Sequence, residues 1–250
     1  MLNKQTVKFT KSLQNKKFRR LYNQFIVEGE KSVLEVMTSD FSIDKILVTQ
    51  TFINKYKREL KSFSERLEIA TEAELADAGS LQSNDAAIAI CAIKTLDLPA
   101  TFADDWIICL DTINDPGNLG TIIRIADWYG ISTIVCSEDT ADVYNPKVIN
   151  ASKGSFIRVS VYYTNLQGFL TAANRPVYAA DLQGENIHTT LFPSKGILVM
   201  GNEAHGMTAE VKKLIQHTIT IPRYGHAESL NVGIATAIFC DRIRSSNVTI

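Results

Sequence analysis

The segment Ile221-Pro-Arg-Tyr-Gly-His-Ala-Glu-Ser-Leu-Asn-Val-Gly-Ile-Ala-Thr-Ala-Ile-Phe-Cys240 constrains the fold more than any other. It reads as a strand end, then a polar turn containing Gly225, then a helix with almost no polar face. A helix of that kind must be covered by neighbouring elements, which argues for layered α/β architecture. Ser229 and Asn231 stand where turn meets helix, so each is a helix cap or a ligand-binding group.

The strand pattern around it is consistent with such a layer. Trp106 to Leu110, Thr133 to Cys136, Phe156 to Tyr163, Val177 to Ala180, Ile197 to Met200 and Thr218 to Ile221 are short apolar runs, most of them separated by helical segments. Continuous apolar strands alternating with helices predict a mostly parallel sheet covered on both faces. Ligands of such sheets bind beyond the carboxyl ends of the strands. Three polar loops fall there: Asn114 to Gly120, Gly201 to Gly206 and Arg223 to Ser229.

Upstream, a smaller α/β set is expected. Phe25 to Val27, Ile43 to Thr49, Leu67 to Ala70 and Ala86 to Ile93 read as strands. Glu30 to Met37, Thr51 to Phe63 and Glu72 to Ala78 read as helices. Periodicity is lost around Pro99. The expected organisation is therefore a first domain over 1–95, a linker over 96–104 and a second domain over 105–250.

Composition excludes several classes. With 45% apolar and 21% charged residues the 250-residue chain is globular, not disordered. A net charge of −1 gives no global basicity, but Lys4, Lys8, Lys11, Lys16, Lys17, Arg19 and Arg20 all precede the first acid, Glu28. That run is either a solvated or frayed terminus or a phosphate-binding patch. Cys91, Cys109, Cys136 and Cys240 are far apart in apolar settings, and neither they nor the four histidines show metal-ligand spacing, so buried free thiols and no metal are expected. No signal peptide opens the chain and no apolar run reaches the ~18 residues of a membrane span; a cytoplasmic protein without membrane attachment is the expectation.

Within the loops, Pro116 and Gly117 make a turn, and Asn118 could cap the helix that follows. Arg124 is surrounded by Ile122, Ile123, Ile125, Ala126 and Trp128, on a helix with little solvated surface. Its guanidinium needs an anionic partner, and Asp127 at i+3 or a bound phosphate would serve. Glu203 could cap a helix starting near Thr208 or Ala209. His205 is a lone loop histidine and is not read as a general base or a ligand, and Lys153 in Asn150-Ala-Ser-Lys-Gly-Ser155 is a surface charge or a phosphate contact.

Taken in order, Asn118-Leu-Gly-x-x-x-Arg124, Gly201-Asn-Glu-x-x-Gly206 and Ile221-Pro-x-x-Gly-x-x-Glu-Ser-Leu-Asn-Val232 resemble the SpoU class of RNA ribose 2′-O-methyltransferases, of the SPOUT superfamily. Phe25-Ile-Val-Glu-Gly29 and the pattern around it resemble that family's N-terminal substrate-binding domain, related to ribosomal protein L30e. The resemblance implies a C-terminal SPOUT α/β domain with a deep trefoil knot and a mostly parallel sheet, plus the smaller L30e-like α/β domain. It implies S-adenosylmethionine held by Met200, Gly201, Asn202, Ile221, Ser229 and Leu230. Arg124, Asn118, Glu203, Ser229 and Asn231 would be catalytic, with Arg124 on the phosphate and the 2′-oxygen and the others positioning Arg124 and the ribose. Lys16, Lys17, Arg19, Arg20 and Lys153 would contact RNA, and the enzyme would be a homodimer.

Ribosomal RNA is the implied substrate, with transfer RNA or a catalytically silent RNA-binding factor as alternatives. A nucleotide-binding oxidoreductase is disfavoured, because no Gly-x-Gly-x-x-Gly follows Trp106 to Leu110. The chain departs from the family pattern at Arg223, Gly233 and His205. Leu81-Gln-Ser-Asn-Asp85 also lacks the Pro-Gly turn common before the last strand of the first domain.

Overall fold

The computed structural model of the chain describes residues 2–103 and 105–246, so Asp104 of the expected linker lies outside the described residues. The chain forms two compact units: Met1–Thr95 with Asp142–Ile157, and Leu96–Ala141 with Arg158–Ile250.

The basic start of the first unit is neither frayed nor extended. It forms α1 (Lys4–Ser12) and α2 (Lys16–Tyr22). Asn3 and Asn15 cap them by accepting from the amides of Gln5 and Lys17, and Asn23 ends α2 in the left-handed conformation at φ 53°. β1 (Gln24–Glu28), α3 (Glu30–Met37), β2 (Ile43–Val48) and α4 (Gln50–Lys55) follow. The single helix expected over Thr51 to Phe63 is broken. The Tyr56 hydroxyl and the Lys55 ammonium both bond Glu30, at 2.8 and 2.9 Å, and tie the end of α4 to the start of α3. The chain resumes as a 3-10 helix at Glu59–Arg66.

β3 (Leu67–Ile69), α5 (Glu72–Ala78) and β4 (Ala87–Ala92) complete a sheet of order β1-β4-β2-β3. β4 runs antiparallel to β1 and β2, and β3 runs parallel to β2. Thr71 and Glu74 form a reciprocal capping box on α5. Ile26, Leu47, Leu75, Ile88 and Ile90 make the core. Where the Pro-Gly turn is missing, buried Asn84 does its work. The Asn84 amide donates to the Ala87 carbonyl at 3.0 Å, and its oxygen accepts from the Ala86 N–H at 3.1 Å.

The second unit begins with β5 (Trp106–Asp111), α6 (Pro116–Trp128) and β6 (Thr133–Cys136). The chain then contributes α7 (Pro146–Ser152) and a 3-10 turn, Ser155–Ile157, to the first unit. A strand starting at Phe156 was expected. Instead Phe156 joins an aromatic cluster, its ring 6.1 Å from that of Phe25 and 5.7 Å from that of Phe41. β7 therefore starts at Ser160 and ends at Tyr163.

α8 (Leu166–Ala172), β8 (Val177–Asn186), β9 (Gly196–Gly201), α9 (Ala209–Lys212), β10 (His217–Thr220) and α10 (Val232–Ser245) finish the unit. Its six strands lie in the order β10-β8-β9-β5-β6-β7, every described pairing parallel. Ile107, Cys109, Val177 and Val199 form a core with Leu166, Leu170 and Val211 from the helices. Among the described residues, no helix is long and apolar enough to cross a membrane.

Candidate active site

The sheet order fixes where a site can form. From β5 the chain leaves toward β6, whereas from β9 it leaves toward β10, on the other side. β5 and β9 are neighbours, with Asp111 paired to Gly201 at their carboxyl ends. That is a topological switch point, where diverging connections open a crevice.

The residues there are bonded to one another. Thr112, at φ 58°, offers its carbonyl to the Asn202 amide at 2.8 Å. The Asn202 oxygen accepts from the N–H groups of Ala204 and His205, at 2.9 and 3.2 Å. Its backbone closes on Gly206 through two hydrogen bonds of 3.0 and 2.8 Å. Gly206 has φ +67°, and a Cβ on Gly201 would stand 2.6 Å from the carbonyl carbon of Gly206 and from the N of Met207. Both glycines are therefore required by the loop's shape. Asp111, 2% exposed, holds the far end, accepting from the Thr208 N–H at 2.6 Å and its hydroxyl at 2.9 Å.

The structure shows which side chains cap the helices here. Asn118 does not cap α6; Asp115 does, accepting from the Asn118 N–H at 2.8 Å with Pro116 as the first helical residue. Ser229 does not cap α10; Asn231 does, its oxygen accepting from Gly233 and Ile234 at 2.9 and 3.3 Å. Glu203 caps no helix, since α9 begins after Thr208.

These side chains meet instead. The Asn231 amide donates to the Asn118 oxygen at 2.9 Å, and the Asn118 amide donates to the Glu203 carboxylate. Each amide's orientation follows from its neighbour. The α10 N-terminus fixes the Asn231 oxygen, which turns its nitrogen to Asn118, which turns its own to Glu203.

Glu203 also lines a cavity of about 570 Å³. Met200, Gly201, Asn202, Ile221, Ser229 and Leu230, the six residues assigned to a cofactor from sequence, all line it. Val232, Ala235 and Phe239 supply apolar wall.

Arg124 departs from expectation. It is exposed, and it makes no hydrogen bond or ion pair among the described residues. Asp127 is not its partner, being gripped by Arg158 at 2.7 to 3.0 Å. Nor is it bonded to Asn118. Six residues along a helix is about 600°, which places Arg124 about 120° around α6 from Asn118. It shares an exposed stripe with Thr121 and with Trp128, which is 84% exposed.

Of the basic residues, Lys16, Lys17, Arg20 and Lys153 are exposed. Arg19 is a correction. It is 2% exposed, donates to the carbonyls of Leu13 and Gln14 at 3.0 and 2.8 Å, and pairs with Asp142 at 2.6 Å. Its guanidinium is a structural bracket and is not available to RNA. Among the described residues, no cluster could hold a metal ion. The four thiols are free and buried, and desolvation pushes all four up, Cys240 to about 12. Sequence reading missed Asp111 and Asp115. An acid ending the apolar run Trp-Ile-Ile-Cys-Leu, and one directly before a proline at a helix start, were the available signals.

Residues 105–241 match the model of the SpoU rRNA Methylase family, and residues 4–89 match the MRM3-like substrate binding domain. The chain is 32% identical to the Bacillus subtilis 23S rRNA (guanosine(2553)-2′-O)-methyltransferase RlmP, covering 96% of each protein. It is 27% identical to the 23S rRNA (uridine(2479)-2′-O)-methyltransferase of Streptomyces viridochromogenes, over 93% of this chain and 86% of that one. The AdoMet-bound rRNA methyltransferase from Sinorhizobium meliloti superposes with a TM-score of 0.87 at 27% identity, over 100% of this chain and 97% of that one.

Proposed function

The chain belongs to the SpoU rRNA methylase family, and on that premise we propose that it methylates a ribose 2′-hydroxyl of ribosomal RNA with S-adenosylmethionine as donor. The observation that carries this reading is the bonded series Asn231–Asn118–Glu203. It joins three distant segments and ends on the wall of the 570 Å³ cavity. A helix cap alone needs no such series.

The residues fit the donor. The Asn202–Gly206 loop presents backbone groups, Gly201 leaves no space for a Cβ, and Leu230, Val232 and Phe239 give an apolar surface for a purine. Met200, Gly201, Asn202, Ile221, Ser229 and Leu230 would hold it. When bound, S-adenosylmethionine supplies a methyl group on an electrophilic sulfonium.

The protein then has to orient the hydroxyl and manage its proton and charge. Asn118 engages one oxygen of Glu203, and the carboxylate's remaining capacity serves as acceptor for the ribose hydroxyl. Ser229 positions the same ribose. Arg124 carries a permanent charge, so it stabilises the phosphate and the developing negative oxygen and does not act as a base.

Two further features belong to this reading. The chain is a homodimer, which would cover Trp128 and Ile234, 84% and 55% exposed on α6 and α10. The catalytic domain is knotted. In support, β10 lies beyond β8, yet the segment after it returns to line the same cavity as Gly201–Gly206. The protein works in the cytoplasm, where a ribosomal RNA substrate would be met.

Incubation with methyl-labelled S-adenosylmethionine and RNA from a strain lacking the gene tests the reaction. Label in an alkali-resistant linkage of ribosomal RNA is expected. Absence of label from every RNA refutes the enzyme, and label on a base refutes the ribose assignment.

A further inference from the structure

Two oppositely charged side chains of the cavity wall, with no part in the reaction above, face each other. Asp181 lies in β8 and Lys212 ends α9; both line the cavity. One Asp181 oxygen accepts from the Leu182 N–H at 2.7 Å. The other stands 3.7 Å from the Lys212 ammonium, attracted to it but beyond hydrogen-bond reach. The Lys212 nitrogen in turn lies 4.0 Å from where a Cβ on Gly206 would be, over the closed loop. Both side chains are partly exposed, 32% and 51%, so neither is locked by packing.

The other charged residues of the wall are differently placed. Glu203 is engaged by Asn118, Arg223 donates toward the Ala227 carbonyl of its own exposed loop at 3.4 Å, and Glu228 is exposed on that same loop. Among the described residues lining the cavity, Asp181 and Lys212 form the ion pair.

We propose that Asp181 and Lys212 recognise the α-amino-acid end of the methyl donor, Asp181 taking its ammonium and Lys212 its carboxylate. The inference rests on the reading of this cavity as the cofactor site. A zwitterion carries two opposite charges on one carbon, and a loosely held pair of opposite charges offers both complements at once. Inserting the ligand replaces one long contact by two charge-assisted hydrogen bonds. A ribose diol or a purine edge would use Asp181 and leave Lys212 idle.

Calorimetric titration with two neutral thioethers tests this without turnover. S-adenosylhomocysteine keeps the amino-acid end, and 5′-methylthioadenosine has a methyl in its place. Asp181→Asn and Lys212→Gln should each weaken S-adenosylhomocysteine about tenfold to a hundredfold and change methylthioadenosine by less than about twofold. Equal weakening of both ligands overturns the proposal, because the pair would then act on the adenosine or on the loop. No weakening of either also overturns it, leaving a surface ion pair. Failure of the unsubstituted protein to bind either ligand rejects the cofactor site itself, and the proposal with it. Lys212→Gln alters a half-exposed side chain, so the test survives if Asp181→Asn does not fold.

Discussion

Arg19 and Arg124 occupy opposite settings in sequence, and the structure reverses them. Arg19 sits among Lys16, Lys17 and Arg20, where a solvated charge is expected, and is buried. Arg124 sits among isoleucines, where burial is expected, and is exposed. Sequence neighbours point in different directions on a helix, so they do not report a residue's environment. What decides is which stripe of the helix faces the core. α2 turns Arg19 inward toward the Leu13 and Gln14 carbonyls and Asp142. α6 buries Leu119, Ile122, Ile123 and Ala126 and leaves Thr121, Arg124 and Trp128 on the other stripe.

The comparison predicts a crossed phenotype. Arg19→Ala leaves Asp142 without its partner and should cost about 3–5 kcal/mol of stability, with turnover per folded molecule unchanged. Denaturant unfolding and active-site titration check this; an unchanged midpoint would mean the pair stabilises nothing. Arg124→Ala should do the reverse. Turnover should fall about a hundredfold to a thousandfold, while unfolding shifts by less than about 0.5 kcal/mol. Arg124→Lys sharpens it further, because near-normal turnover would exclude any need for the planar guanidinium. Asn231→Ala removes the cap and the orienting bond together, so it should both slow transfer and cost about 1 kcal/mol.

How far the sequence could be read follows the same line. Strands such as Trp106–Leu110 and Ile197–Met200 were legible because buried parallel strands are continuously apolar. The three loops were legible as one site because parallel strands present their ends together. The hydrogen-bonding of those loops was less so. Pro116 does mark Asp115 as the cap of α6, but nothing local distinguishes Ser229 from Asn231 at the start of α10. That Asn118 reaches both Glu203 and Asn231 depends on contacts 85 and 113 residues apart. By continuity the segment 142–157 falls in the second domain expected over 105–250. It packs with the first unit because Tyr144 and Phe156 pack against Phe25, one tilted and the other edge-to-face, a choice that no periodicity encodes.

Smaller effects separate the remaining cations. Lys16→Ala, Lys17→Ala and Arg20→Ala remove exposed charges and should leave stability within about 0.5 kcal/mol. If these residues contact phosphates, each should weaken RNA binding and lower the salt dependence by about one ion. A salt slope unmoved by all three would return these lysines and Arg20 to a merely solvated face, with Arg19 keeping its role as a buried bracket.

Asp127→Asn gives the smallest effect and the sharpest control on Arg124. Asp127 holds Arg158 through three contacts of 2.7 to 3.0 Å at a partly exposed position. Such a pair contributes up to about 1 kcal/mol, so thermal unfolding should move only slightly. Transfer should stay at the unsubstituted rate, because Arg124 does not depend on this carboxylate for its placement. A drop in turnover comparable to that of Arg124→Ala would show that the two residues act as an i, i+3 unit during reaction. The exposed setting of Arg124 would then be a property of the free protein alone, and the contrast with Arg19 would hold only before substrate binds.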